Sequence, residues 1–214
     1  DQSRYEEYFQ RDILLKPQEM GGLNRSRFPV GPWLNRLSPK TTRQTLLYPK
    51  YSALALAQKF SLVIFPYRGF QSLLTVEDQV NALNSLRNHL EPGGKLIITL
   101  FVPGKDLFDQ RSDIFYHLRD SRYQEDNGYR SLHHRTEFDH HNQLIHTQIS
   151  ITEHIGDYLI SKRYADFTLR YLYTDEARYL FEYCGFRIEE IAGDYDGTPY
   201  DRDSEETIWS LVVR

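Results

Sequence analysis

The chain has 214 residues, 40% of them hydrophobic and 14% aromatic, which excludes a disordered polymer and allows one domain with a sizeable core. Its single cysteine, Cys184, excludes an internal disulfide and makes a reducing, cytoplasmic compartment the expectation. A formal net charge of −4 gives no global attraction to nucleic acid or anionic membrane, and no apolar run approaches the roughly 20 residues of a membrane span.

Residues 5–16 place Tyr5, Phe9 and Ile13 one turn apart, a short helix that Pro17 would end. Five prolines and three glycines between residues 17 and 50 predict irregular structure there. From Leu23 to Lys50 there are six basic residues and no acidic one. No stacking aromatics interleave them at regular spacing, so a solvated face is expected rather than a nucleic-acid surface. Residues 1–50 thus form a basic, Pro-rich leader to an α/β domain over 51–214.

Phe60-Ser-Leu-Val-Ile-Phe65 is a short apolar run closed by Pro66, the pattern of a central parallel strand covered on both faces. Thr75 precedes Glu77 and Asp78 as a helix cap with acids in the first turn. Val80, Leu83, Leu86 and Leu90 follow at helical spacing, and Pro92-Gly93-Gly94 stops the helix. Lys95–Phe101 is a second buried strand, so the segment predicts a βαβ unit. Residues 104–129 have no clear period and are expected to be a helix or a lid. Residues 130–138, 143–153 and 158–172 alternate, an antiparallel meander with one face wet; its turns fall at Asp139–Asn142 and Gly156-Asp157. Thr174 is the predicted cap of a last helix, with Ala177, Leu180 and Phe181 as its stripe and Gly185 as its stop. Phe186–Gly193 and Thr207–Val213 are closing strands.

Phe60–Ile64 with Pro66–Leu74 resembles the fourth strand and following loop of class I S-adenosylmethionine-dependent methyltransferases. Leu90-Glu-Pro-Gly-Gly-Lys-Leu-Ile-Ile98 is similar to that family's turn and fifth strand, and Phe181-Glu-Tyr-Cys-Gly-Phe-Arg-Ile188 to its last helix and sixth strand. The resemblance covers roughly residues 50–214. It implies a doubly wound, Rossmann-like α/β sheet with a reversed seventh strand, partial in its N-terminal half, and an antiparallel insertion at 130–172. It also implies S-adenosylmethionine as cofactor and a small-molecule substrate. The family's Gly-x-Gly loop and its acidic strand ends have no counterpart before Phe60, where the glycines are Gly21, Gly22 and Gly31, and Ser61 stands where Asp is common.

On that resemblance Phe65, Pro66 and Tyr67 would face the cofactor, and Arg68, Phe70, Arg170 and Tyr171 the substrate. Arg68 carries a guanidinium that could fork onto an anionic group. Plain packing is the alternative for the aromatics, a surface charge for Arg68 and a structural pair with an acid such as Glu176 for Arg170. The Asp194–Tyr200 loop could line the same mouth, although turn chemistry alone explains its Asp, Gly and Pro. His133, His134, His140, His141 and His146 lack the spacing of a metal site, and no metal is expected. Cys184 is expected to pack. Two functions follow: methyl transfer to a small molecule, or a non-catalytic binding or assembly module that lacks the cofactor site. In the second, the open strand edge of a half-sheet would be covered by residues 1–50 or by a second copy in a homodimer.

Overall fold

The computed structural model describes residues 58–122 and 128–214. The expected helix at 5–16 and the irregular basic stretch lie outside the described residues. The described residues form two compact units: 58–102 together with Leu172–Arg214, and Pro103–Tyr171.

The first unit holds a four-stranded sheet in the order β1 (Phe60–Phe65), β2 (Leu90–Phe101), β8 (Glu206–Val213), β7 (Phe186–Ala192). β1 and β2 are parallel, while β8 runs antiparallel to both β2 and β7. A reversed last strand between the fifth and sixth is what the family resemblance implies. Among the described residues β1 is an outer strand: Ser61 is exposed, Leu62, Val63 and Ile64 are half-buried, and Phe65 is fully covered. A short apolar run reports burial on two faces but says nothing of a partner on each edge.

α1 (Val76–Asn88) begins as the sequence predicts, with Thr75 Oγ1 accepting the Asp78 N–H at 3.1 Å. It ends sooner than expected, at His89, and β2 starts at Leu90, ahead of the Pro-Gly-Gly turn. Phe60 pairs with Leu90 and Leu62 with Lys95, so residues 91–94 bulge out of the ladder. Gly94 is needed there, because a Cβ would meet the Glu91 and Phe60 carbonyl oxygens at 2.9 and 3.0 Å.

One sheet face packs Phe65, Leu96, Ile98, Leu100, Trp209 and Leu211 against α1 and α3 (Thr174–Tyr183), with Leu83, Leu86, Ala177 and Phe181 supplying the helical side. The cap of α3 is Tyr173, one residue before the predicted Thr174. Glu176 Oε2 accepts the Tyr173 N–H, while the Thr174 hydroxyl pairs with Tyr200 Oη at 2.8 Å. Arg87 Nη1 donates to the Cys184 carbonyl at 2.7 Å, holding the last turn of α3 beside Gly185 (φ +85°). A Cβ at Gly185 would sit 2.3 Å from that Nη1. Gly185→Ala is therefore expected to destabilise the fold by about 1–2 kcal/mol, read as a lowered denaturant midpoint with an unchanged m value.

The second unit is the expected meander with one more strand: β3 (Tyr116–Arg122), β4 (Gly128–Asp139), β5 (Leu144–Ile155) and β6 (Tyr158–Arg170), in that order and antiparallel throughout. β3 lies inside the stretch expected to be a helix or lid, where among the described residues the only helix is the single turn α2 (Lys105–Phe108). Six of its seven residues are exposed, so no apolar alternation announced it. The wet face of β5 is not uniform either: Ser150 is buried beside exposed His146. A serine between His133 and Tyr164 is short enough to be covered by its cross-strand neighbours.

Candidate functional site

The carboxyl ends of β1 and β2 and the start of β8 meet at one edge of the first sheet, since Phe101 pairs with Glu206. An open α/β sheet forms its ligand crevice at such an edge. β1 leaves through Pro66-Tyr67-Arg68-Gly69, a tight turn closed by the Gly69 N–H on the Pro66 carbonyl at 3.0 Å. Both central residues are left-handed: Tyr67 at φ 49° and Arg68 at φ 61°. Turns with two positive φ values favour Asn and Gly, and each non-glycine residue held this way costs roughly 1–3 kcal/mol.

Several contacts hold the strained turn. Arg68 Nε and Nη2 both donate to Glu206 Oε1, at 2.9 and 2.5 Å. The same guanidinium lies 4.0 Å from the centre of the Phe101 ring. The Tyr67 ring, half-exposed, lies 6.3 Å from that of Tyr195. Beneath them Gln71, fully buried in the 3-10 turn Gly69–Ser72, clamps the end of β2: its Nε2 donates to the Phe101 carbonyl at 2.9 Å and its Oε1 accepts the Phe101 N–H at 2.8 Å.

Electrostatics set this edge apart. Burial raises the Glu206 carboxyl above the ordinary carboxylate range; Arg68 opposes the shift, and Glu205 and Asp194 add to it. Glu206 Oε2 is buried and has no hydrogen-bond partner among the described residues. Burial also raises the Tyr195 phenol, against hydrogen bonds with Thr99 and the Tyr67 backbone. A carboxyl whose folded pKa lies above its unfolded one binds its proton more tightly in the folded state. Its stabilising contribution is therefore complete below the unfolded pKa and is lost as pH rises through the folded one. Wild-type stability measured against Glu206→Gln across pH 4 to 8 is expected to show that decline in the wild type alone.

The structure brings Phe65, Pro66, Tyr67, Arg68 and Phe70 into one turn, with different surroundings for each. Phe70 is fully buried, edge-on to Phe65 at 5.8 Å and 6.1 Å from Phe181. Arg68 is engaged by Glu206 and Phe101, so its fork is turned inward and not onto an anionic ligand. Arg170 and Tyr171 belong to the meander unit. Arg170 Nη2 reaches Gln143 Oε1 at 3.4 Å, and Tyr171, 1% exposed, packs its ring 5.7 Å from Phe108 with its hydroxyl 3.4 Å from His140 Nδ1. The histidines pair with rings and hydroxyls, His117 with His133 at 5.3 Å and His146 Nδ1 with Thr168 Oγ1 at 3.0 Å. Among the described residues no three His, Cys, Asp or Glu side chains converge as metal ligands. Cys184 is buried, and burial raises its thiol.

Glu206, Thr99 and Gln71 escape sequence reasoning. Glu206 sits at the end of an acidic run that reads as solvated loop, and only the β2–β8 register reveals it as a strand residue facing Arg68.

No family model and no curated protein sequence matches the chain. Solved structures match in fold. The CcbJ methyltransferase from Streptomyces caelestis aligns with a TM-score of 0.62 at 19% identity, over 76% of this chain and 61% of its own. A S-adenosylmethionine-dependent methyltransferase from Clostridium acetobutylicum ATCC 824 gives 0.59 at 14% identity, over 93% and 72%. CalS10, an amino pentose methyltransferase from Micromonospora echinaspora involved in calicheamicin biosynthesis, gives 0.58 at 12% identity, over 77% and 62%. The chain has the class I S-adenosylmethionine-dependent methyltransferase fold, and it spans less than two thirds of the length of the first and third of these proteins. No helix among the described residues is long and apolar enough to cross a membrane.

Proposed function

We propose that the β1–β2–β8 edge is the acceptor-facing part of a site for S-adenosylmethionine-dependent methyl transfer to an amine of a small, sugar-like molecule. One observation carries the reading: the strained Tyr67–Arg68 turn, held by Glu206, stands at the strand end where this fold places its ligand crevice. The amine is favoured over an anion because the half-buried Glu206 carboxyl lies at this edge, while the Arg68 guanidinium beside it is already paired. The amino pentose methyltransferase among the structural neighbours supports the same substrate class.

The described residues fit the methyl-bearing end of the cofactor through the Tyr67 and Tyr195 rings and the Glu206 carboxylate. When bound, the cofactor supplies a methyl group on a sulfonium. Phe65, Pro66 and Tyr67 would form its contact surface, Arg68 would hold Glu206 in place, and Glu206 would accept an N–H from the acceptor amine and orient its lone pair. Arg170 is the polar substrate candidate of the meander unit.

The test is label transfer from methyl-labelled S-adenosylmethionine to a panel of amino sugars and their hydroxyl-only counterparts. Saturable transfer to amines supports the reading; transfer to hydroxyl acceptors alone, or to nothing, contradicts it.

A further inference from the structure

β6 spans Tyr158–Arg170 and is the last strand of the β3-β4-β5-β6 sheet, so among the described residues its outer edge is unpaired. Thirteen residues make a long edge, and natural proteins seldom leave one open. Its apolar side chains face water: Tyr158 is 78% exposed, Leu159 54%, Ile160 56% and Tyr164 51%. An exposed apolar edge of this length marks a pairing surface.

We infer that β6 pairs antiparallel with β6 of a second copy of this chain across a two-fold axis at Tyr164, joining two four-stranded meanders into one eight-stranded sheet. In a two-fold strand pair, residues directly opposite share a face, so each possible register is centred on one residue. A centre at Lys162, Arg163 or Asp166 sets that charge against its own copy, which is destabilising. A centre at Tyr164 instead places Lys162 opposite Asp166 twice over and Tyr164 opposite itself, within the part of β6 that keeps a regular register, beyond the bulge at Ile160. Asp166 is in the right state to serve: it is exposed, and its Oδ1 is steadied by Gln148 Nε2 at 2.7 Å. Lys162 extends over the Tyr164 ring, with Nζ 5.4 Å from the ring centre. A lysine on an edge strand repels indiscriminate partners, but here the partner's acid at position 166 would meet it. The surface thus selects its own copy. This dimer is independent of the reading of the β1–β2–β8 edge.

The test is sedimentation velocity of the full 214-residue chain, with circular dichroism confirming that each variant is folded. The wild type is expected at twice the 25.4 kDa chain mass. Lys162→Asp is expected to raise the dimer dissociation constant about tenfold or more, because both ion pairs become like-charge contacts. Adding Asp166→Lys to that variant is expected to restore the dimer, since the pairs re-form with reversed signs. Tyr164→Lys, which sets like charges on the axis, is expected to give monomer. A folded wild type that is monomeric at high micromolar concentration overturns the proposal. So does a dimer that Lys162→Asp and Tyr164→Lys leave unchanged, or one that the double charge reversal fails to restore.

Discussion

On the proposed function, Arg68→Ala is expected to lower methyl transfer about 100-fold and to destabilise the fold by about 1–3 kcal/mol. The Glu206 carboxyl keeps its burial and loses both of its hydrogen bonds, since Nε and Nη2 of Arg68 converge on the same oxygen. The stability loss belongs at the modest end for a buried pair because the two side chains are 39% and 22% exposed. The activity loss is larger because the guanidinium also rests on Phe101 and holds a turn with two left-handed residues. Arg68→Lys separates charge from shape: it keeps the positive charge but not the planar fork, and it is expected to recover stability more fully than activity. Denaturant melts and steady-state rates on the same preparations check both parts.

Tyr67→Gly is expected to separate activity from stability in the opposite direction. Glycine adopts φ 49° without steric penalty, so the backbone gains up to about 1 kcal/mol, against which the contact with the Tyr195 ring is lost. The net expectation is a fold as stable as wild type whose transfer rate falls at least about tenfold, because the exposed ring at the strand end is gone. Tyr67→Phe keeps the ring and removes only the hydroxyl, and is expected to retain activity if the ring face is what matters. A Tyr67→Gly variant with wild-type rate would make the strained turn structural.

Some of this edge was readable before the structure. At the other end of β2, Leu90-Glu-Pro-Gly-Gly-Lys-Leu marked an irregularity, found as a bulge inside the strand, because Gly93 and Gly94 have backbone conformations or close approaches that other residues tolerate poorly. Thr75 and the Glu77-Asp78 pair located the start of α1 because capping chemistry is local. The turn at Tyr67-Arg68 was not readable as left-handed: neither residue type signals positive φ, and the turn is fixed by Glu206, which lies 138 residues further along the chain. β3 was not readable because both its faces are wet. Phe70 and Tyr171 carried the right residue types for a ligand site but are enclosed by neighbours from distant segments, which no local pattern reports. The cap of α3 shifted by one residue because the Thr174 hydroxyl is drawn to Tyr200, a contact that exists only in the folded chain.

The most direct test of the central claim is a calorimetric titration of the folded 214-residue chain with S-adenosylhomocysteine, repeated on Tyr67→Gly. The account predicts saturable binding near one ligand per chain that weakens markedly in the variant. Folded protein that gives no saturable heat, or a variant that binds as tightly as the wild type, would contradict it.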